Sequence, residues 1–489
     1  MSPNDPPLSQ SPPPGQTKGV TATQAAANLA DAFNNNLPRA NSTTDGYLAA
    51  ADFAAFAAGT GSGGGLGNGG MGPVFNVLAY GAKGDGTTDD AAAIRSAITA
   101  ASPNGVVYFP TTANGYALGS ALILPSNVIL LGDNRKASGL SKLKPVAGYS
   151  GLLIQSANYG TTIIQQAAIV GITIDGSNTT QTAIQLQCQE CTIEHVCILR
   201  CWTSGIEIGG ISGTQLALNN TIQSCYLQKD ANLSDPSPAR FWNCILEDYY
   251  SADNKFYANY LEGCNEAGIH TRGSNTFIQG NHIYDTVFGI YSEDTNERIF
   301  TNNYIEFCKA ASIHVENGTS FKPGLQAVIC NNIFRNPNTD AYAPGASFNG
   351  GQCTTGDGVI ELHGTNLTDA VISGNIVDRD SGLTDTMPYF VYVAAGASNI
   401  AISNNMAETG VVTTGESNYP PAGTYAFTNQ ASPFTINPGL GRLPSSVTTF
   451  TLSGGTYTAV STPPYTVDSN FILHFDTAGQ VFTGSIIVS

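Results

Sequence analysis

Between Gly268 and Gly318 the chain repeats itself. The phrases IHTR, IYSE and IHVE open at Ile269, Ile290 and Ile313, and NYL, NHI and NYI open at Asn259, Asn281 and Asn303. The asparagines are 22 residues apart at both steps, and the isoleucines 21 and 23. A period near 22 with several strand-like phrases per turn predicts a parallel β-helix. Each coil then stacks on the last at about 4.8 Å, and equivalent side chains form columns. Inward Ile, Val and Cys make a continuous core, while Asn at turns can bond to its equivalents above and below. A leucine-rich repeat shares the period, but its leucine consensus is missing. The repeat extends from about 106 to 408 and weakens at Lys229–Arg240 and Asn336–Gly356, which read as loops inserted between strands.

Composition narrows the function. At 489 residues and 42% hydrophobic, the chain has ample material for a core. A net charge of -17 argues against nucleic acid as a partner, because phosphate binding needs a basic face. There is no long apolar run, so no membrane insertion is expected. The N-terminal MSPNDPPLSQSPPPGQ has no apolar export-signal core. Ten cysteines include the run CQECTIEHVCILRC, with His195 inside it. Its spacing fits no usual zinc pattern. Cys264 and Cys308 are 44 apart with Thr286 midway, and Cys201 precedes Gly205-Ile206 as Cys264 precedes Gly268-Ile269. These residues read as a buried column of small side chains. No metal and no cofactor are expected.

Three regions follow. Residues 1–72 combine a Pro/Ser segment, Ala-rich stretches of short-helix character and the linker GTGSGGGLGNGGMG. Residues 73–410 form the β-helix, with a capping helix near 89–101 started by Thr88, Asp89 or Asp90. The Gly-rich GAKGDG reads as a structural turn, lacking the Lys-Ser/Thr of a phosphate loop. Residues 411–489 read as a small C-terminal β-domain that covers the exposed edge of the last coil.

Two segments carry a resemblance. FNVLAYGAKGDGTTDDAAAIRSAI, followed by GVVYFP, resembles the opening of the pectate-lyase-like β-helix domain shared by polysaccharide lyases, epimerases, hydrolases and phage tailspikes. TTDGYLAAADFAAFAAG resembles a recurring segment of phage tail-fibre and tailspike proteins. The resemblance implies an all-β, right-handed single-stranded parallel β-helix. It also implies a homotrimer attached through its N-terminal region to a phage tail or baseplate, acting from the virion on a bacterial surface polysaccharide. The NTD, DD, GHG and RIK set of polygalacturonases is absent, so no catalytic residue carries over from that group.

The site is therefore read from the columns. If Ile269, Ile290 and Ile313 point inward, alternation sends the next residue outward. His270, Tyr291 and His314 form one outward column, and Arg272, Glu293 and Glu316 a second. Glu207 is placed in register with His270, and Glu361 and His363 extend the face downstream. Glu293, Glu316 and Glu361 are the catalytic candidates. Glu207, His270, Arg272, Tyr291, His314 and His363 are the sugar-binding candidates. Glu293 and Glu316, one coil apart at about 5 Å, suit the retaining spacing of about 5–5.5 Å between two glycosidase carboxylates. Stacked carboxylates are expected to push one pKa up, as a general acid requires. A competing face carries Glu262, Tyr284, Asp285 and Glu306, with Glu262 and Glu306 about 9.6 Å apart, near the inverting range. Tyr249, Tyr250, Tyr257, Tyr260, Tyr284, Tyr291 and Trp242 offer rings for sugar stacking. Glu247-Asp248 is a further acid pair of unassigned facing. Hydrolysis by two carboxylates is the expected chemistry. The alternatives are β-elimination on a uronic acid and a spike that binds without cutting.

Overall fold

The computed structural model describes residues 73–417, less 134–140, 229–240, 296, 318–326, 338–357, 365–366, 382–385 and 395–396, plus seven strands between Thr424 and Val488. The expected N-terminal helices and linker, and most of both inserted loops, lie outside the described residues.

The central coils each supply strands to three columns. The first column is a sheet of twelve parallel strands, from Val74–Asn76 to Ser398–Ser403. The other two belong to one sheet of 21 strands. They merge where Tyr260–Thr271 and His282–Glu293 run through both, with a register shift between Cys264 and Ala267. In the third column Ile269 pairs with Ile290, Ile290 with Ile313, Ile313 with Ile360 and Ile360 with Val391. All are fully buried. β-Branched side chains suit this stacked, pleated interior.

The second column begins at the asparagine turn. Oδ1 of Asn281 accepts from the backbone N–H and Nδ2 of Asn259, at 3.0 and 2.9 Å. Nδ2 of Asn281 donates to Phe256 O and to Asn303 Oδ1. The ladder continues through Asn332, Asn375 and Asn405, at sequence intervals of 29, 43 and 30. Between columns the chain turns through left-handed residues, among them Gly280 (φ 67°), Asp285 (φ 51°) and Asp294 (φ 49°). Gly, Asn and Asp are the residues that tolerate this region.

The helix Ala91–Ala101 buries Ala91, Ile94, Ala97, Ile98 and Ala101 against the first coils. Asp89 Oδ1 accepts from the N–H of Ala91 and from that of Gly119. Asp90 sits at the N-cap but makes no side-chain cap. Its carboxylate instead accepts from the N–H groups of Lys83 and Gly84, which pins the GAKGDG turn. Cys188, Cys191, Cys197 and Cys201 are buried, whereas His195 occupies a turn (φ 51°) with its side chain 47% exposed. They therefore form no joint site. Cys264 lies in register with Thr286, and Cys308 is buried with them. Beyond Ser417 the pairing turns antiparallel, in one sheet of four strands and another of three. No described helix is long and apolar enough to cross a membrane.

Candidate active site

The third column builds the candidate face. With the isoleucines inside, the next position runs His270, Tyr291, His314, Glu361 and Tyr392 over successive coils. Two residues on, Glu293, Glu316 and His363 are in register, and Arg272 precedes Glu293. Glu207 pairs with Leu246, and Leu246 with His270. Glu207 therefore shares the column but stands two coils from His270, because the strand Phe241–Glu247 intervenes. The expected register with His270 holds, with one coil between them.

Imidazoles and carboxylates alternate along the ladder. His270 Nε2 lies 3.0 Å from Glu293 Oε2 and its Nδ1 3.3 Å from Glu266 Oε2. Arg272 Nε donates to the same Glu293 oxygen at 3.1 Å, and its Nη1 to Asp248 at 3.2 Å. The guanidinium also sits 4.9 Å over the exposed ring of Tyr249. Tyr291 OH donates to Glu316 Oε2 at 3.0 Å. His314 Nδ1 is 2.8 Å from Glu361 Oε2, and its Nε2 is 3.6 Å from Glu316. Because a carboxylate only accepts, Nδ1 of His314 carries the hydrogen.

Exposure divides these groups. The Glu316 side chain is 50% exposed, whereas His270 and Glu361 are 2% and 5% exposed. Both occupy the outward column yet are covered by their neighbours. Glu361 thus stands behind His314 and holds it in place, without an open face for a sugar.

The charges correct one expectation. Stacking does not raise either carboxyl. The His270 hydrogen bond, with Arg272 beside it, holds Glu293 down at about 2. The His314 contact and the Tyr291 hydroxyl keep Glu316 below the usual range. Burial alone would raise Glu361, but His314 and His363 bring it to about 2. Burial works against charge on both His270 and His314, yet their paired acids leave each raised. The acids of this network are thus pulled down and His270 and His314 pushed up, each by the other. Upstream, burial raises Glu207, although Gln185 donates to it at 3.0 Å.

His314, Glu361 and His363 bring possible metal-ligand atoms within 4.8 Å of one another. Their two imidazole rings are stacked at 4.8 Å with 19° between planes. Ligand lone pairs lie in the ring planes, so one ring would have to turn before both could meet an ion.

The competing face lies on the second column. Glu262, Tyr284 and Glu306 are in register. Tyr260 donates to Glu262, Tyr304 to Glu306, and His282 Nε2 is 2.9 Å from Glu306. Tyr226 stacks on Tyr260, and His282 meets Tyr260 and Tyr304 edge to face beside them. Tyr284 packs on Phe307. Asp285 is a buried turn residue with φ 51°, which removes it from this face.

Two acids of the first network are not legible from strand alternation. Glu266 falls in the bulge between Cys264 and Ala267, where strict alternation fails. Asp248 reads from the sequence only as half of an acid pair. Its partner Glu247 is fully buried, bonded to Thr271, Thr276 and Asn254.

The structure is a parallel β-helix with one face of acids, imidazoles and tyrosines. The chain belongs to the rhamnogalacturonase A/epimerase, pectate lyase-like family, whose model matches residues 74–322. Alginate lyase 7 of Azotobacter vinelandii is 39% identical over 113 residues, covering 21% of this chain. The match spans 13% of that protein's length. The tailspike of Escherichia coli bacteriophage HK620, solved with a pentasaccharide, shares the fold with a TM-score of 0.50 at 13% identity, covering 84% of this chain and 93% of its own. The DFA-IIIase of Arthrobacter chlorophenolicus A6, solved with DFA-III, also gives 0.50, at 12% identity, covering 70% of this chain and 86% of its own.

Proposed function

We propose that the chain is a phage tailspike that binds a bacterial surface polysaccharide and hydrolyses its glycosidic bonds on the third-column face. The observation that carries the reading is the pairing of His314 with Glu316. Glu316 is half-exposed with its carboxyl held low, and the His314 imidazole is raised by Glu316 and the buried Glu361. The 3.6 Å from His314 Nε2 to Glu316 is too long for a good hydrogen bond, which leaves that N–H available to a leaving oxygen. His314 donates this proton to the glycosidic oxygen. Glu316 activates a water molecule or attacks the anomeric carbon. Glu293, one coil away, adds a negative charge facing the positive oxocarbenium-like transition state. Tyr291 and Tyr249 supply ring faces and hydroxyls for the sugar.

Charge weighs against elimination on a polyuronate. Asp248, Glu266, Glu293, Glu316 and Glu361 are five acids, against Arg272 and the imidazoles of His270, His314 and His363, on a chain of net charge -17. That field favours a neutral or amino sugar and repels an anionic chain. The fold likeness to a tailspike and the tail-like segment near residue 50 support the phage assignment, with trimerisation and tail attachment as parts of the same proposal.

The test is reducing-end release from purified capsule, exopolysaccharide and O-antigen preparations. Glu316→Gln and His314→Gln are expected to lose on the order of 10²-fold or more in rate, with melting temperature as the folding control. An unsaturated, ultraviolet-absorbing product would replace hydrolysis by elimination. Sugar binding without cleavage would make the chain a receptor-binding spike. Loss of release in Glu262→Gln or Glu306→Gln alone would move the reaction to the second column.

A further inference from the structure

Arg298 opens the strand Arg298–Thr301 and points into the solenoid. It is 1% exposed, the largest fully buried side chain among the described residues. Its register partners on the following coils are Ala327 and Ala370, whose small side chains leave room for it. Nε of Arg298 donates to Ser292 Oγ and Nη2 to Asn317 Oδ1, both at 2.6 Å. Both acceptors are neutral. No ion pair to Arg298 exists among the described residues. Asp294 lies near enough to favour its charge, but burial still pulls its pKa down.

Two donors remain. Nη1 of Arg298 and Nδ2 of Asn317 are buried without a hydrogen-bond partner. They belong to two side chains already joined by one hydrogen bond, and Asn317 is itself 2% exposed. A guanidinium has no acceptor, and the amide oxygen of Asn317 is already used. A ligand that suits this place is one that accepts hydrogen bonds. A buried cation without a counter-charge is costly, and a charged acceptor serves it better than a neutral one.

We propose that a small monovalent anion of the halide class, chloride under ordinary conditions, is bound inside the solenoid against Arg298 Nη1 and Asn317 Nδ2. One negative charge balances one guanidinium. A divalent oxoanion would leave one buried negative charge unbalanced. The site also has a place in the architecture. Ser292 precedes Glu293 and Asn317 follows Glu316, so Arg298 joins the inner sides of the two strands that carry those carboxylates, and the ion secures Arg298 to Asn317. The proposal does not depend on the reaction assigned to that face.

Long-wavelength anomalous diffraction from crystals of the full chain tests it, because chlorine scatters anomalously there and a water oxygen does not. The expected result is an anomalous peak within hydrogen-bonding distance of both nitrogens. Asn317→Asp places a carboxylate beside Arg298 and is expected to abolish the peak. Wild-type melting temperature is expected to rise by about 2 °C or more when sodium gluconate is exchanged for sodium chloride at fixed ionic strength, after equilibration through the unfolded state. The variant is expected to melt alike in both salts. Density at the site without anomalous signal, together with equal wild-type melting in both salts, would assign the place to water and overturn the proposal. If the variant does not fold, the wild-type map alone decides.

Discussion

His270 illustrates how single residues behave on this face. It points outward by alternation, yet it is sealed between Glu266 and Glu293 and packed on Tyr291, with ring centroids 4.6 Å apart. Its charge and theirs stabilise one another, which sets the direction of the pH response. His270 and His314 are raised, so their contribution is fully present below the ordinary imidazole pKa of about 6.5 and is lost as pH rises through their folded values. Glu293 and Glu361 are depressed to about 2. Their contribution is present above the ordinary carboxylate pKa of about 4.3 and is lost as pH falls toward 2. The ladder is thus expected to stabilise the protein most between about pH 4.3 and 6.5. Thermal melts across pH check this, and the penalty of Glu361→Gln relative to wild type is expected to shrink on the alkaline side. The rate of reducing-end release is expected to fall on an alkaline limb above about pH 6.5, as an imidazolium donor requires. A limb near the carboxylate range would return the acid role to a glutamic acid. Glu316, half-exposed, is the residue at which Gln is expected to cost catalysis without much stability. Glu361 and His270, being buried, are expected to cost both.

At the scale of elements, the asparagine ladder and the close-packed glycines hold the coils in register. The buried side chain of Asn281 makes four hydrogen bonds: two accepted from Asn259 and one donated to each of Phe256 and Asn303. Replacing it by Ala leaves buried donors and acceptors unpaired, at about 1–3 kcal/mol for each group left without a partner. Asn281→Ala is expected to destabilise by about 3 kcal/mol or more in denaturant titration, with the third-column face affected only through unfolding. Gly289 is constrained by contact. A Cβ there would lie 2.4 Å from Ile305 Cγ2 and 2.5 Å from Ser312 O. Gly289→Ala is therefore expected to shift the strand carrying Tyr291 and Glu293. It should reduce sugar cleavage more than an exposed substitution such as Ile333→Ala on the second column.

For the whole molecule, the parallel stack ends near residue 417 and gives way to antiparallel sheets. An open parallel edge is a pairing hazard, and covering it favours a discrete assembly. If the chain acts as a tailspike, the expected mass by light scattering is three times 50.9 kDa. Removal of residues 420–489 is expected to reduce that mass or to leave aggregating protein. A mass of one chain for the full-length protein would remove the trimer and the assembly role of the C-terminal strands together.

The repeat by itself determined the β-helix, because a side-chain period of two within strands and about 22 between coils leaves few ways to bury Ile269, Ile290 and Ile313. It also determined which residues share a column, since register follows from stacking identical corners. The interval changes at Asn332, Asn375 and Asn405 hid the rest of the asparagine ladder, because inserted residues change sequence distance without changing the coil. Only the tertiary structure decided the coil count between Glu207 and His270, where an extra strand enters. It alone brought in Glu266, whose bulge breaks alternation, and withdrew Asp285, whose left-handed turn buries it. It also reversed the expected proton balance. The sequence shows carboxylates one coil apart, and adjacency alone predicts repulsion. Whether they repel or stay ionised depends on the imidazole or guanidinium that sits within 3–4 Å of each, and that distance is set by packing across coils.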